Sequence, residues 1–103
     1  MKIVAVTACP TGIAHTYMAA EALEKAAKKL GHSIKVETQG SIGIENKISA
    51  KEVLAADLVI LAVDVAVKEE NRFKGKPIYR CEAQPVIKNA AKIIQEALKI
   101  INT

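Results

Sequence analysis

KIVAVTACPTGIAHTYMAAEAL, residues 2–23, reads as a strand, a turn and the start of a helix, in that order. Residues 2–7 are a β-branched apolar run of strand length. Pro10 and Gly12 interrupt it and mark a loop over residues 8–14. From His15 onward apolar side chains recur at three- and four-residue steps through Tyr17, Ala20, Leu23, Ala27 and Leu30, which predicts a helix over residues 15–30. Glu21/Lys25 and Glu24/Lys28 are i,i+4 pairs in the favourable order, and Gly31 stands where a C-cap belongs.

The same alternation runs through the rest of the chain. Residues 34–39 predict a second strand, and residues 40–47 a loop. Ser49 and Glu52 have capping-box spacing and open a short helix to Ala56. Leu58–Val63 is continuously apolar, as a strand buried on both faces must be. Residues 65–75 connect it, with room for a helical turn, to a fourth short strand over residues 76–80. Pro85 suits the first turn of a last helix with a broad apolar stripe from Val86 to Ile101. Strands alternating with helices predict an α/β fold: one three-layer domain over residues 1–103, with helices on both faces of a four-stranded parallel sheet in the order 2-1-3-4. In such sheets the working site lies beyond the carboxyl ends of the strands.

Composition narrows the function classes. At 11.0 kDa the chain has room for one core, and size scaling gives a folded surface of about 5,600 Å². Half the residues are apolar but only 3% are aromatic, so the core is aliphatic and a site of stacked rings is disfavoured. The net charge of +4 is spread along the chain; it suits an acidic partner or substrate but is weak evidence for nucleic acid, and no nucleic-acid partner is expected. Two cysteines make neither a disulfide framework nor a zinc ligand set, so no metal is expected. With no apolar run long enough to span a bilayer, a cytoplasmic protein with reduced thiols is expected.

Chemistry concentrates in Cys9, Pro10, Thr11, Gly12, Ile13, Ala14, His15 and Thr16. A helix N-terminus presents unpaired N–H groups and a partial positive charge, which suit phosphate, and small residues let a loop turn its N–H groups inward. The same dipoles favour a thiolate at Cys9, making it a nucleophile. Three chemistries use such a loop. A cysteine phosphatase needs Arg at the sixth position after the cysteine, where this chain has His15. A flavin module fits Thr7, Thr11, Gly12 and Thr16 but wants aromatic rings that are scarce here. A phosphoryl carrier needs a cradle that passes phosphate on rather than giving it to water.

The segment ACPTGIAHTYMAAEAL closely resembles the active loop and first helix of enzyme IIB of the bacterial sugar phosphotransferase system, fructose type. VETQGSIG, ADLVILAVD and RFKGKP extend the resemblance over nearly the whole chain. It implies that Cys9 is the phosphocysteine, loaded by a phosphohistidine of enzyme IIA and discharged onto a sugar carried by the membrane enzyme IIC, with no cofactor. The implied sugar is fructose, giving fructose 1-phosphate; relatives that handle mannosylglycerate are the alternative. The protein would then work at the inner face of the membrane through IIC, without a span of its own.

Around that loop the expectations are plainer. His15 is weighed evenly between a phosphate donor and a first-turn packing residue. Thr11 and Thr16 cap the loop and helix. Gln39 and Asp64 are expected at the site's periphery, Asp64 as a turn cap. Arg72 and Lys76 are expected in a solvated charge cluster, and Cys81 as a packed or edge thiol.

Overall fold

In the computed structural model, which describes residues 1–9, 13–40 and 43–101, the chain runs β1 (Lys2–Ala8), α1 (Ile13–Lys29), β2 (Ser33–Gly40), β3 (Gly43–Glu45), α2 (Ala50–Ala55), β4 (Leu58–Val63), a 3-10 turn (Glu70–Phe73), β5 (Ile78–Cys81) and α3 (Ala83–Lys99). The sheet order is β3-β2-β1-β4-β5. β2, β1, β4 and β5 are parallel neighbours, in the relative order expected. The fifth strand corrects the expectation of a purely parallel four-stranded sheet. Residues 43–45, read from sequence as loop, return antiparallel along β2 and pair Gly43 with Gly40 and Glu45 with Thr38. Gly43, at φ 102°, takes a backbone conformation that side chains resist, and this lets the chain double back. Three residues are too few for alternation to reveal a strand.

Strand alternation divides the core between two faces. Ile3 and Ala5 of β1, and Leu58, Ile60 and Ala62 of β4, pack under α1 and α3. Val4, Val6 and Ala8, with Val59, Leu61 and Val63, face α2 and the 3-10 turn, where Ile48, Val53 and Phe73 close the layer. The exposed surface of 5777 Å² matches the scaling for one well-filled core.

Local chemistry fixes the helix ends. Gly31, at φ 83°, caps α1: its N–H reaches Lys28 O at 3.1 Å and the His32 N–H reaches Ala27 O at 2.8 Å, the paired bonds of a Schellman turn. The Ser49/Glu52 capping box forms. Thr16, Ala19, Ala20, Leu23 and Ala27 are buried on α1, whereas Tyr17 is exposed, so the buried stripe starts at Thr16. α3 begins at Ala83, ahead of Pro85, and is broken at Asn89, whose side chain accepts the Lys92 N–H at 3.2 Å as a cap inside the helix.

Candidate functional site

β1 sits between β2 and β4, so its carboxyl end is flanked on both sides. The half-buried Cys9 follows directly, and α1 begins at Ile13. Cys9 Sγ lies 4.0 Å from His15 Nδ1, so the sixth position after the thiol, where a phosphatase loop carries Arg, faces the sulfur. Cys9 packs against the α1/α3 cluster. Beneath it, the Thr7 hydroxyl donates to Thr16 O at 3.0 Å and pins the first turn of α1 to the last residues of β1. Thr16 is 2% exposed, and its hydroxyl finds no partner among the described residues. Ala14 and His15 are exposed. The expectations for Pro10, Thr11 and Gly12 lie outside the described residues, as does that for the Ile13 side chain.

Gln39 and Asp64 flank this end of β1, and the protein already uses polar atoms of both. The Asp64 N–H donates to Ala8 O at 3.0 Å, and Asp64 Oδ1 accepts the Ala83 N–H at 3.4 Å. Asp64 is thus a cap for the start of α3. The Gln39 amide donates to Glu37 Oε2 at 2.7 Å and to Lys68 O at 3.0 Å, and accepts the Lys68 N–H at 2.8 Å.

Behind Gln39 lies a group that the sequence reading did not isolate. Glu37 is 0% exposed and Arg72 12% by side chain, and they form a two-pronged ion pair. The Ile48 N–H also donates to Glu37, at 2.8 Å, and Arg72 donates to Ile48 O at 2.9 Å and stacks 4.6 Å over the Phe73 ring. Burial pushes the Glu37 carboxyl up, but Arg72, Gln39 and the Ile48 N–H outweigh it and leave it below the usual range. This corrects the expectation of Arg72 in a solvated cluster. Lys76 is likewise spent on protein, donating to Leu54 O and Ala56 O, both at 2.9 Å, where α2 ends. The available signal was a lone acid in an otherwise core-facing strand register, Val36 to Gln39: a buried carboxylate needs a cation.

Cys81 lies at the end of β5, also against the α1/α3 cluster. Burial, then the Asp64, Glu82 and Glu96 carboxylates, push its thiol up to about 11. Neither cysteine is in a disulfide. Among the described residues no group of three metal-ligating side chains gathers, and no helix is long and apolar enough to cross a membrane.

The chain is similar to known proteins. The family model described as the lactose/cellobiose-specific IIB subunit of the phosphotransferase system matches residues 4–96. A fructose-like EIIB component 2 of that system from Escherichia coli K12 is 57% identical over 95 residues, covering 92% of this chain and 90% of that protein. A fructose-specific EIIB'BC component from Rhodobacter capsulatus is 50% identical over 98 residues, which are 95% of this chain and 17% of that longer one. A crystal structure of a domain from a fructose-specific IIABC component of Borrelia burgdorferi superposes with a TM-score of 0.90 at 53% identity, covering 99% of this chain and 94% of that one.

Proposed function

Because the chain belongs to the IIB family of the phosphotransferase system, which transfers phosphoryl groups in sugar uptake, we propose that Cys9 is its phosphoryl acceptor and fructose its sugar. The observation that carries the reading is the place of Cys9: last residue before the loop into α1, with His15 Nδ1 4.0 Å from its sulfur. In the first step the thiolate attacks phosphorus, the S–P bond forms, and the N–P bond of the donor phosphohistidine breaks, leaving neutral imidazole once it takes a proton. In the second step a sugar hydroxyl attacks, the O–P bond forms, the S–P bond breaks, and the hydroxyl proton goes to solvent or a nearby base. The N–H groups at the start of α1 stabilise the charge on the transferring group in both steps. His15 donates to a phosphoryl oxygen, and the Thr7 hydroxyl, bonded to Thr16 O, holds the first turn of α1 in place.

Fructose is preferred over the lactose and cellobiose of the family's description because the relatives at half identity or above carry fructose-like or fructose-specific names. The product is then fructose 1-phosphate. The phosphodonor is enzyme IIA, and the membrane partner is enzyme IIC, to which the relatives with BC names join their IIB domains. The protein works at the cytoplasmic face of the membrane through that partner. The test is to phosphorylate the protein with a IIA donor and map the label by mass spectrometry. Label on Cys9, discharged by fructose in IIC-containing vesicles, is expected. Label on any other residue rejects the acceptor, and discharge by lactose or cellobiose but not fructose rejects the sugar.

A further inference from the structure

Three contacts describe how the chain leaves β4. The Asp64 N–H is bonded to Ala8 O, at the last residue of β1. Four residues later, the backbone N–H and C=O of Lys68 are both held by the Gln39 side chain, at the end of β2. Then Arg72 locks onto Glu37, two residues back along β2. Since β1 lies between β4 and β2, residues 64–68 cross the carboxyl end of β1, next to Cys9. They cross on the α2 face, where Val67 packs. Cys9 packs on the opposite face.

This strap keeps one position only if its far end, Lys68, is held. The Gln39 amide holds it with a donor and an acceptor, in the manner of a strand partner. Gln39 is itself 7% exposed and fixed from behind by Glu37, which is fixed in turn by Arg72. Such a stack of buried, mutually bonded groups is rigid, because moving any member leaves another unpaired.

Resting on the reading of Cys9 as the acceptor, we propose that Gln39 is a positioning residue: it holds residues 64–68 across the end of β1, as a wall behind Ala8 and the Cys9 that follows it. The wall keeps the thiol turned toward α1 and His15, the side on which the N–H groups of the helix await the phosphoryl group. Gln39 touches neither sulfur nor substrate in this role; it acts through the strap.

The test uses the intact protein and a phosphorylated IIA donor. Gln39→Met keeps the length and apolar stem of the side chain and removes both bonds to Lys68. Exchange of the Lys68 N–H, read by NMR, is expected to speed up about tenfold, as loss of one net hydrogen bond allows. The kcat for loading Cys9 is expected to fall about tenfold, the scale of a misplacement well under 1 Å, with KM for the donor within twofold of wild type. A second variant, one glycine inserted after Ala66, leaves Gln39, Glu37 and Arg72 intact and lengthens the strap; it should lose kcat in the same way, and it decides the matter if Gln39→Met does not fold. Wild-type kcat in a folded variant whose Lys68 N–H exchanges faster overturns the proposal. So does an unchanged Lys68 N–H in Gln39→Met. Failure of the wild type to label on Cys9 is read before any variant and rejects the acceptor assignment, and the strap's role with it.

Discussion

Two strand-to-helix junctions carry the two cysteines, and they put similar surroundings to opposite use. Cys9 follows β1 and stands four residues ahead of α1; Cys81 ends β5, two residues ahead of α3. Both pack against the same apolar cluster. At the first junction residues intervene between strand and helix, and the nearby ring is His15. At the second, Glu82 stands at the cap position with no side-chain cap bond, and Asp64 takes the Ala83 N–H, so a carboxylate from the end of β4 already serves the start of α3. The first turn of α1, by contrast, carries no acidic residue. The buried Glu37–Arg72 pair lies on the β2 side of the first junction, whereas the surroundings of Cys81 raise its thiol.

The largest test of the contrast is exchange of each thiol. Cys9→Ser should abolish stable loading from the donor, whereas Cys81→Ser should load at a rate within about twofold of wild type, as for a substitution away from the site. Equal loss in both, measured with radiolabelled donor, would remove the distinction between the junctions.

Next in size is the support beneath the first junction. Glu37→Gln leaves the Arg72 guanidinium buried without its counter-charge, and chemical denaturation should show a loss of about 3 kcal/mol. A loss under about 1 kcal/mol, the level of an exposed pair, would show that the first junction does not stand on this pair.

The thiol at the second junction gives a smaller, sharper measurement. In a Cys9→Ser background, alkylation of Cys81 should rise with pH toward a midpoint near the value of about 11 given by its surroundings, against an ordinary 9.0. Asp64→Asn with Glu82→Gln should bring the midpoint part of the way down. Burial, the largest cause, remains, so a return all the way to the ordinary value would contradict the assignment.

The smallest effect separates acids that are stabilised from acids that perturb. Lys35, together with the Ser49 N–H, holds Glu52 down to about 2, and Glu37 is held below its ordinary 4.5. Both folded values lie below the unfolded ones, so their stabilisation is full above about pH 4.5 and is lost as pH falls toward 2. Thermal unfolding should show Tm level from pH 7 to 5 and falling below that, with a shallower fall in Glu52→Gln. An acid limb of unchanged steepness in that variant would contradict the Lys35–Glu52 contribution.

Local rules made much of the architecture legible before any coordinates. The apolar run Leu58–Val63 could only be a strand buried on both faces, and Gly31 and the Ser49/Glu52 box marked helix ends. The third residue run of the sheet, Gly43–Glu45, was hidden because a short edge strand is defined by its partner rather than by its own pattern. Arg72 was misread for a related reason: exposed and buried arginines look alike until the acid opposite is known.

The sequence by itself determined the parallel α/β layout, the order of its four parallel strands, and the place of Cys9 between β1 and α1, because periodicity, caps and β-branched runs act within a few residues. Only the tertiary structure decided that Glu37 meets Arg72 across 35 positions, that Gln39 clamps the backbone of Lys68, and that Asp64 serves α3 rather than the thiol. Those are pairings between distant segments. They exist because a buried charge or amide takes whichever partner the fold brings to it, and no local pattern names that partner in advance.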